Sequence, residues 1–292
     1  MVKIAVASGK GGTGKTFIAV NMFHVLQSKG YRVVLVDCDA EAPNSMLFFK
    51  AEPISQIEVN QQVPVIDVNK CTFCGKCQEY CNYNAIFIIP PFKIIKVIDD
   101  LCHGCGACSV ACNYGAITEK PVTLGLVTQF SDSENSLFIE ARMNLGVMSP
   151  VPIIKAAVKQ IDQKADVVIL DSPPGTSCPF IQTVANADYV ILVTEPTPFG
   201  LSDLRHSVET LKKIDKKFGV ILNRTGVGNK DIDKYLEEDG LKILLEVPFE
   251  RRYAELYSTG KIVAENDPFL AERLLEVAEK IILEYGSSNN KR

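Results

Sequence analysis

A short apolar run, residues 3–8 (KIAVAS), breaks into Gly9-Lys10-Gly11-Gly12-Thr13-Gly14-Lys15-Thr16 and then into a helical pattern over 16–29. Strand, glycine-rich loop and helix in that order constrain the fold more than anything else in the chain. The loop fits the spacing G-x-x-x-x-G-K-S/T, whose glycines let backbone N–H groups point inward around phosphates. Lys15 can reach the β- and γ-phosphates, and the Thr16 hydroxyl can bind Mg2+. The helix N-terminus adds its own attraction for anions.

Four further runs, 32–37, 167–171, 189–194 and 219–223, are rich in Val, Ile and Leu without alternation. Strands of a parallel sheet covered on both faces read this way. Helical patterns near 151–163, 202–217, 230–239 and 267–285 lie between or after them. The expected fold is α/β, a doubly wound and mainly parallel sheet. Asp37, Asp39 and Asp171 fall at strand ends, where open α/β sheets bind ligands. Asp37 and Asp39 occupy alternate positions and can point the same way.

The rhythm breaks between about 62 and 122. Eight of the ten cysteines lie between 71 and 112, and FCGKCQEYCNYNAI (73–86) matches GCGACSVACNYGAI (104–117). Pro64 and Pro121 bracket the stretch, and GLVTQF and LFIEARMN follow it. The reading is one ATPase-type domain in two parts, 1–61 and 123–292, with residues 62–122 as an inserted domain of α+β type. Clustered cysteines in a chain of 292 residues argue for metal in a reducing, cytoplasmic setting rather than for disulfides.

The extra lysine, Lys10, gives the phosphate loop the form K-G-G-x-G-K-T. This resembles the deviant Walker A ATPases of the MinD superfamily, which include the MinD and ParA proteins and the nitrogenase iron protein. The resemblance covers residues 1–56 and 125–285. It implies that Lys10 reaches across an ATP-dependent homodimer to the other subunit's nucleotide. It implies that Gly9, Gly11, Gly12, Thr13, Gly14, Lys15 and Thr16 hold the phosphates, and that Lys10, Lys15 and Asp39 are catalytic, with Asp39 near the attacking water. Thr16, Asp37 and Asp171 would serve Mg2+, and Gly175 would sense the γ-phosphate. Asn223 and Arg224 resemble the family's adenine contacts, and Pro248 and Glu250 sit in a segment (EVPFE) similar to the loop that closes over the base.

Each cysteine repeat has the spacing C-x2-C-x2-C-x3-C, which resembles a bacterial two-cluster ferredoxin. Structural zinc is the competing reading, but zinc sites pair two C-x2-C units across a longer loop. In two-cluster ferredoxins the fourth cysteine serves the other cluster. The resemblance therefore implies one [4Fe-4S] site of Cys71, Cys74, Cys77 and Cys112, and a second of Cys102, Cys105, Cys108 and Cys81. Asn82 and Asn113 stand where such ferredoxins carry proline, which bears on loop rigidity and potential. Tyr80, Tyr83 and Tyr114 are expected to pack the insert's core, His103 to face solvent, and Cys38 and Cys178 to be small buried side chains.

The whole layout resembles MinD-superfamily ATPases with an inserted ferredoxin domain. Two functions follow. In one, MgATP-dependent dimerisation gates electron transfer through two [4Fe-4S] clusters to a redox partner. In the other, the chain is an ATP-dependent assembly or carrier factor for clusters or metal cofactors, with a cofactor-accepting partner. A formal net charge of −4 gives no footprint for nucleic acid. The insert's lysines and carboxylates balance, so bound clusters would make it negative. Nothing approaches a membrane span, residues 3–8 read as a buried strand rather than a leader, and the segment LAERLLEVAEKIILEYG reads as a packed final helix with a frayed tail, GSSNNKR.

Overall fold

A computed structural model describes residues 1–133, 136–228 and 231–286. The tail expected to fray, beyond Gly286, lies outside the described residues. The chain runs β1 (Val2–Ala7), α1 (Lys15–Ser28), β2 (Val33–Asp37), β3 (Glu52–Ile66), α2 (Lys76–Glu79), β4 (Ile86–Ile89), β5 (Ile94–Val97) and α3 (Ala107–Ala111). It continues with β6 (Ile117–Ser133), β7 (Ser136–Met143), α4 (Val151–Lys159), β8 (Val167–Asp171), α5 (Cys178–Ala185), β9 (Tyr189–Thr194) and α6 (Pro198–Lys213). The last elements are β10 (Phe218–Thr225), α7 (Asp231–Glu238), β11 (Ile243–Pro248), α8 (Arg251–Ser258) and α9 (Pro268–Gly286).

Nine strands form one sheet in the order β11-β10-β9-β1-β8-β2-β7-β6-β3. From β11 to β7 every neighbouring pair is parallel, with β1 inside the sheet. Consecutive residues of the central strands enter opposite cores. Ile4, Val6, Leu35 and Ile169 pack with α1 and α9. Ala5, Ala7, Val36 and Leu170 pack with α4, α5 and α6 on the other face. That two-sided burial is why these strands read as unbroken apolar runs. The final helix docks through Leu270, Leu274, Val277, Ala278 and Ile281, as its pattern implies.

The far edge differs from the expected strand–helix rhythm. GLVTQF and LFIEARMN both form strands, and β6 pairs antiparallel with β7. β6 also pairs antiparallel with β3 along nearly its whole length, from Glu52↔Ser131 to Ile66↔Ile117. The β7 ladder ends at Gly125↔Met143. Beyond it the β3–β6 ribbon continues alone for roughly 25 Å, at about 3.4 Å per residue. β3 runs in the same direction as β7, so the ribbon projects past the carboxyl edge of the parallel strands. The cysteine-rich segment, 67–116, is carried at its tip. Pro64 and Pro121 lie inside this ladder, opposite Glu119 and Gln62. Proline is tolerated there because each strand has a free edge.

The cysteine segment is small: α2, α3, the hairpin β4–β5, and a core of Cys77, Ile86 and Cys108 with Ile66, Ile95 and Ile117 packed against it. Tyr80, Tyr83 and Tyr114 do not fill that core. They are 58%, 43% and 54% exposed, because so few residues cannot enclose three phenol rings. Cys38 is buried as expected, but Cys178 is exposed at the start of α5. Among the described residues, no helix is long and apolar enough to cross a membrane.

Phe23 anchors α1 to the sheet. Its ring is fully buried and lies 4.7 Å from that of Phe138 and 5.1 Å from that of Phe49. Phe23→Ala is expected to cost about 3–5 kcal/mol, read as a lower urea midpoint with an unchanged slope. A loss below about 1 kcal/mol would mean that neighbouring rings collapse into the space.

Candidate nucleotide and cysteine sites

Parallel register brings three strand ends together. Val6 of β1 and Asp37 of β2 are both partners of Asp171 on β8. The glycine-rich loop leaves β1 at this edge and re-enters as α1. Gly12 and Gly14 have φ of 79° and 99°, the left-handed region that glycine adopts without strain. A side chain at Gly14 would also clash with Asn223 Nδ2, and one at Gly9 with the Asp203 carbonyl. Asn223 Nδ2 donates to the Thr13 carbonyl at 2.8 Å and braces the loop from β10.

The two strand-end carboxylates are almost fully buried. Asp37 accepts N–H bonds from Asp39 (3.1 Å), Asn44 (2.8 Å) and Ser45 (2.9 Å). Asp171 Oδ2 accepts from the Ser45 hydroxyl at 3.0 Å. Among the described residues, Asp171 Oδ1 and Thr13 Oγ1 are buried without a hydrogen-bond partner. Burial and the neighbouring Asp171 charge push Asp37 above the ordinary carboxylate range, against the pull of its three backbone donors. Burial pushes Asp171 up as well, opposed by Thr16, Lys15 and Ser45. Lys15 is buried, and the loss of solvent lowers its pKa against the attraction of Asp171 and Asp39. Two crowded carboxylates, an orphaned oxygen and the Thr16 hydroxyl suit a hard divalent cation with oxygen ligands, as Mg2+ is.

Part of the nucleotide set expected from sequence lies together, whereas Gly9, Gly11, Thr13, Lys15, Thr16 and Gly175 are not in the lining of the same cavity. Gly12, Gly14, Asn223, Arg224, Pro248 and Glu250 line one cavity with about 750 Å3 of open space. Phe17, Phe249, Tyr253 and Tyr257 line it too, supplying aromatic faces that the sequence reading did not single out. Gly175 has φ of 92°, and its N–H donates to the Ser8 carbonyl at 3.1 Å, so it is engaged with the loop. Lys10 does not project freely. Its ammonium pairs with Glu195 at 2.6 Å, and the same carboxylate accepts from Arg224 Nη1 at 3.0 Å. Burial tends to raise the Glu195 pKa, yet Lys10 and Arg224 outweigh it and hold the group below its usual value. Glu195 follows β9 directly; its place after a parallel strand was the one available hint.

The cysteines surround two further cavities. Cys71, Cys74, Cys77 and Cys112 line one of about 340 Å3. Cys81, Cys102, Cys105 and Cys108 line the other, of about 370 Å3. Each takes three thiols from one repeat and one from the other. Phe73, Ala85 and Gly104 donate backbone N–H bonds to Cys71, Cys81 and Cys102 sulfurs at 3.3–3.4 Å. Burial raises the pKa of Cys77, Cys102 and Cys108, whereas the backbone N–H of Lys76 lowers that of exposed Cys74. Among the described residues no three His, Cys, Asp or Glu side chains converge as ligands of a single ion. The thiols lie around the cavities instead. His103 is exposed and stacks on Tyr83, with ring centroids 3.8 Å apart.

The carboxylate pair has a measurable signature in metal-free protein. A raised native pKa means the folded state holds the proton more tightly than the unfolded one. Its stabilising effect is complete below the ordinary carboxylate value near 4 and is lost as pH rises toward neutrality. The melting temperature in chelator should therefore fall with pH over that window, and Asp37→Asn should flatten the fall. A wild-type profile no steeper than the variant's would show that the pair carries no such strain.

The chain matches the family described as "CobQ/CobB/MinD/ParA nucleotide binding domain" over residues 4–263. An uncharacterized protein of Methanocaldococcus jannaschii is 31% identical over 97% of this chain and 98% of its own length. A protein of Pyrococcus horikoshii named iron-sulfur cluster carrier protein is 26% identical, over 96% of this chain and 85% of its own length. The septum site-determining protein MinD of Pyrococcus horikoshii, solved with Mg-ADP, superposes with a TM-score of 0.59 at 20% identity, covering 96% of this chain and 95% of that one. With the phosphate loop, the strand-end carboxylates and this match in hand, the chain belongs to the CobQ/CobB/MinD/ParA family of P-loop nucleotide-binding proteins.

Proposed function

We propose that this chain is an ATP-hydrolysing iron–sulfur protein, in which MgATP-dependent pairing of two copies gates electron transfer through two [4Fe-4S] clusters to a redox partner. One observation carries the reading: each cysteine cavity is lined by four thiols drawn from both repeats, on a ribbon rising from the sheet edge that bears the phosphate loop.

The residues fit the groups they would hold. Thr16, Asp37 and Asp171 would serve Mg2+, whose charge relieves the buried carboxylates. Lys15 and the loop N–H groups would bind the phosphates. Asp39, two residues past the end of β2, would orient the attacking water and accept its proton, with ADP as leaving group. Asn223, Arg224, Pro248 and Glu250 would hold the base against Phe17 and the tyrosines. Cys71, Cys74, Cys77 and Cys112 would ligate one cluster, and Cys81, Cys102, Cys105 and Cys108 the other. Each cluster, when bound, supplies a one-electron relay. Lys10 would leave Glu195 to reach the nucleotide of the second copy.

The name borne by the Pyrococcus horikoshii relative favours a second reading, an ATP-dependent cluster carrier. The thiols argue for residence. All cysteines at C-x2-C spacing belong to the two repeats, and Cys77 and Cys108 are buried in the segment's core. A carrier needs thiols it can surrender to a partner.

Two measurements test the proposal. Anaerobically reconstituted protein should bind about eight iron atoms per chain, four for each cluster, and keep them through gel filtration with MgATP. Transfer of iron to an apo-acceptor on ATP addition would favour the carrier. Lys15→Ala should lose tight ATP binding. Lys10→Ala should bind ATP yet stay monomeric in light scattering with a slowly hydrolysed analogue, and a stable Lys10→Ala dimer would sink the cross-subunit role.

A further inference from the structure

The two cysteine cavities have different surroundings. Lys76 is the charged residue lining the cavity of Cys71, Cys74, Cys77 and Cys112; the rest of that lining includes Ile66, Ile88, Ile95 and Ile117. Glu119 is the charged residue lining the cavity of Cys81, Cys102, Cys105 and Cys108. Neither Lys76 nor Glu119 has an ion-pair partner within 4.0 Å among the described residues, so neither charge is neutralised by a neighbour. Glu119 is held in place by the Ser109 hydroxyl, 2.8 Å from Oε1, and a side chain at Gly106 would lie 3.6 Å from that oxygen.

The second cavity is also the one braced by the shaft of the ribbon and facing the loop after β7. Gln61, on the ribbon, donates from Nε2 to the Cys102 carbonyl at 2.6 Å. A side chain at Gly104 would meet Gln61 Cγ at 2.6 Å, so the cysteine loop is pressed onto that residue. Tyr83, Cys102 and His103 border a groove whose opposite wall is residues 144–149, the loop after β7. That loop starts where Met143 N–H donates to the Ala40 carbonyl at 2.8 Å, three residues beyond Asp37. The first cavity meets the ribbon only at its tip, through Ile66 and Ile117, and neither Gln61 nor residues 144–149 line it.

We infer that the two cluster sites are unequal: the site of Cys81, Cys102, Cys105 and Cys108 has the lower reduction potential and answers to the nucleotide site, and the site of Cys71, Cys74, Cys77 and Cys112 is the higher-potential terminus. This rests on the proposed two-cluster reading. Adding an electron makes a cluster more negative, so an unpaired ammonium nearby favours the reduced form and an unpaired carboxylate opposes it. When bound, each cluster would supply a one-electron relay; Cys81, Cys102, Cys105 and Cys108 would hold the one nearer an external one-electron donor, and Cys71, Cys74, Cys77 and Cys112 the one nearer an external one-electron acceptor, with no proton or bond change between them. Gln61 is a positioning residue, holding the Cys102 loop against the ribbon.

The test is an anaerobic titration with dithionite as electron donor, followed by EPR, on protein whose iron and sulfide content is measured first. Fewer than two clusters bound would sink the cluster reading itself, and the inference with it. With both clusters present, two reduction waves are expected. Glu119→Gln should raise only the lower wave, and Lys76→Met should lower only the upper one. A slowly hydrolysed ATP analogue with Mg2+ should move only the lower wave, and Gln61→Ala should abolish that movement at unchanged iron content. Coincident waves, a Glu119→Gln effect on the upper wave, or a nucleotide shift confined to the upper wave would overturn the assignment.

Discussion

Asp37 and Asp171 stand side by side on adjacent parallel strands, both nearly sealed from solvent. Like charges on neighbouring strands, without water, repel. Everything around them compensates. Three backbone N–H groups turn toward Asp37, Ser45 bridges to Asp171, and Lys15 is drawn in beneath the glycine-rich loop. The residual imbalance, an oxygen of Asp171 with no hydrogen-bond partner among the described residues, is what the proposed Mg2+–nucleotide complex would relieve. Segment 38–45 is therefore shaped by the same carboxylates that ligand binding would perturb.

That coupling matters because of where the ribbon starts. The backbone bond from Met143 to Ala40 joins the segment after Asp37 to the end of β7, and β7 is zipped to β6. β6 then runs on to the cysteine segment, with a bulge at Leu124 where the ribbon leaves the sheet. A shift near Asp39 thus meets a paired β-ribbon rather than a coil linker. Rigid secondary structure with a packed base can carry a displacement of that kind to a distant tip. An insert tethered by coil would have no comparable connection.

The parts legible in sequence are those whose chemistry is local or whose burial is symmetric. Phosphate-loop glycines need left-handed φ values that the motif spacing announces, and strands covered on both faces announce themselves as apolar runs. β3 does neither. It is an edge strand, mostly exposed and of mixed polarity, held by pairing with β6 more than fifty residues away in sequence. Glu195 was hidden for a similar reason, since its partners Lys10 and Arg224 come from other strand ends. The tyrosines of the cysteine segment were assigned to a core because aromatic rings usually are. The segment is too thin to hold them, so Tyr83 stacks on His103 at the surface. Cys178 went the same way: residue type argued for burial, and its place at the exposed start of α5 decided otherwise.

In the proposed dimer, Lys10 would have to leave a partner it already holds. Its ammonium is neutralised by Glu195 in a partly buried pair, so it does not repel an approaching protomer that carries its own lysine. Releasing it would be costly if Glu195 were left alone, because an unpaired buried carboxylate forfeits its solvation. Arg224 removes that obstacle. It already holds the other carboxylate oxygen at 3.0 Å and remains when Lys10 departs. Arg224 also borders the cavity where the base would sit, so a bound nucleotide would meet the same charge network that governs Lys10. In the proposed dimer, nucleotide binding and release of the lysine are then two consequences of one rearrangement around Glu195, and the single carboxylate links the occupied base pocket to the face that meets the second copy.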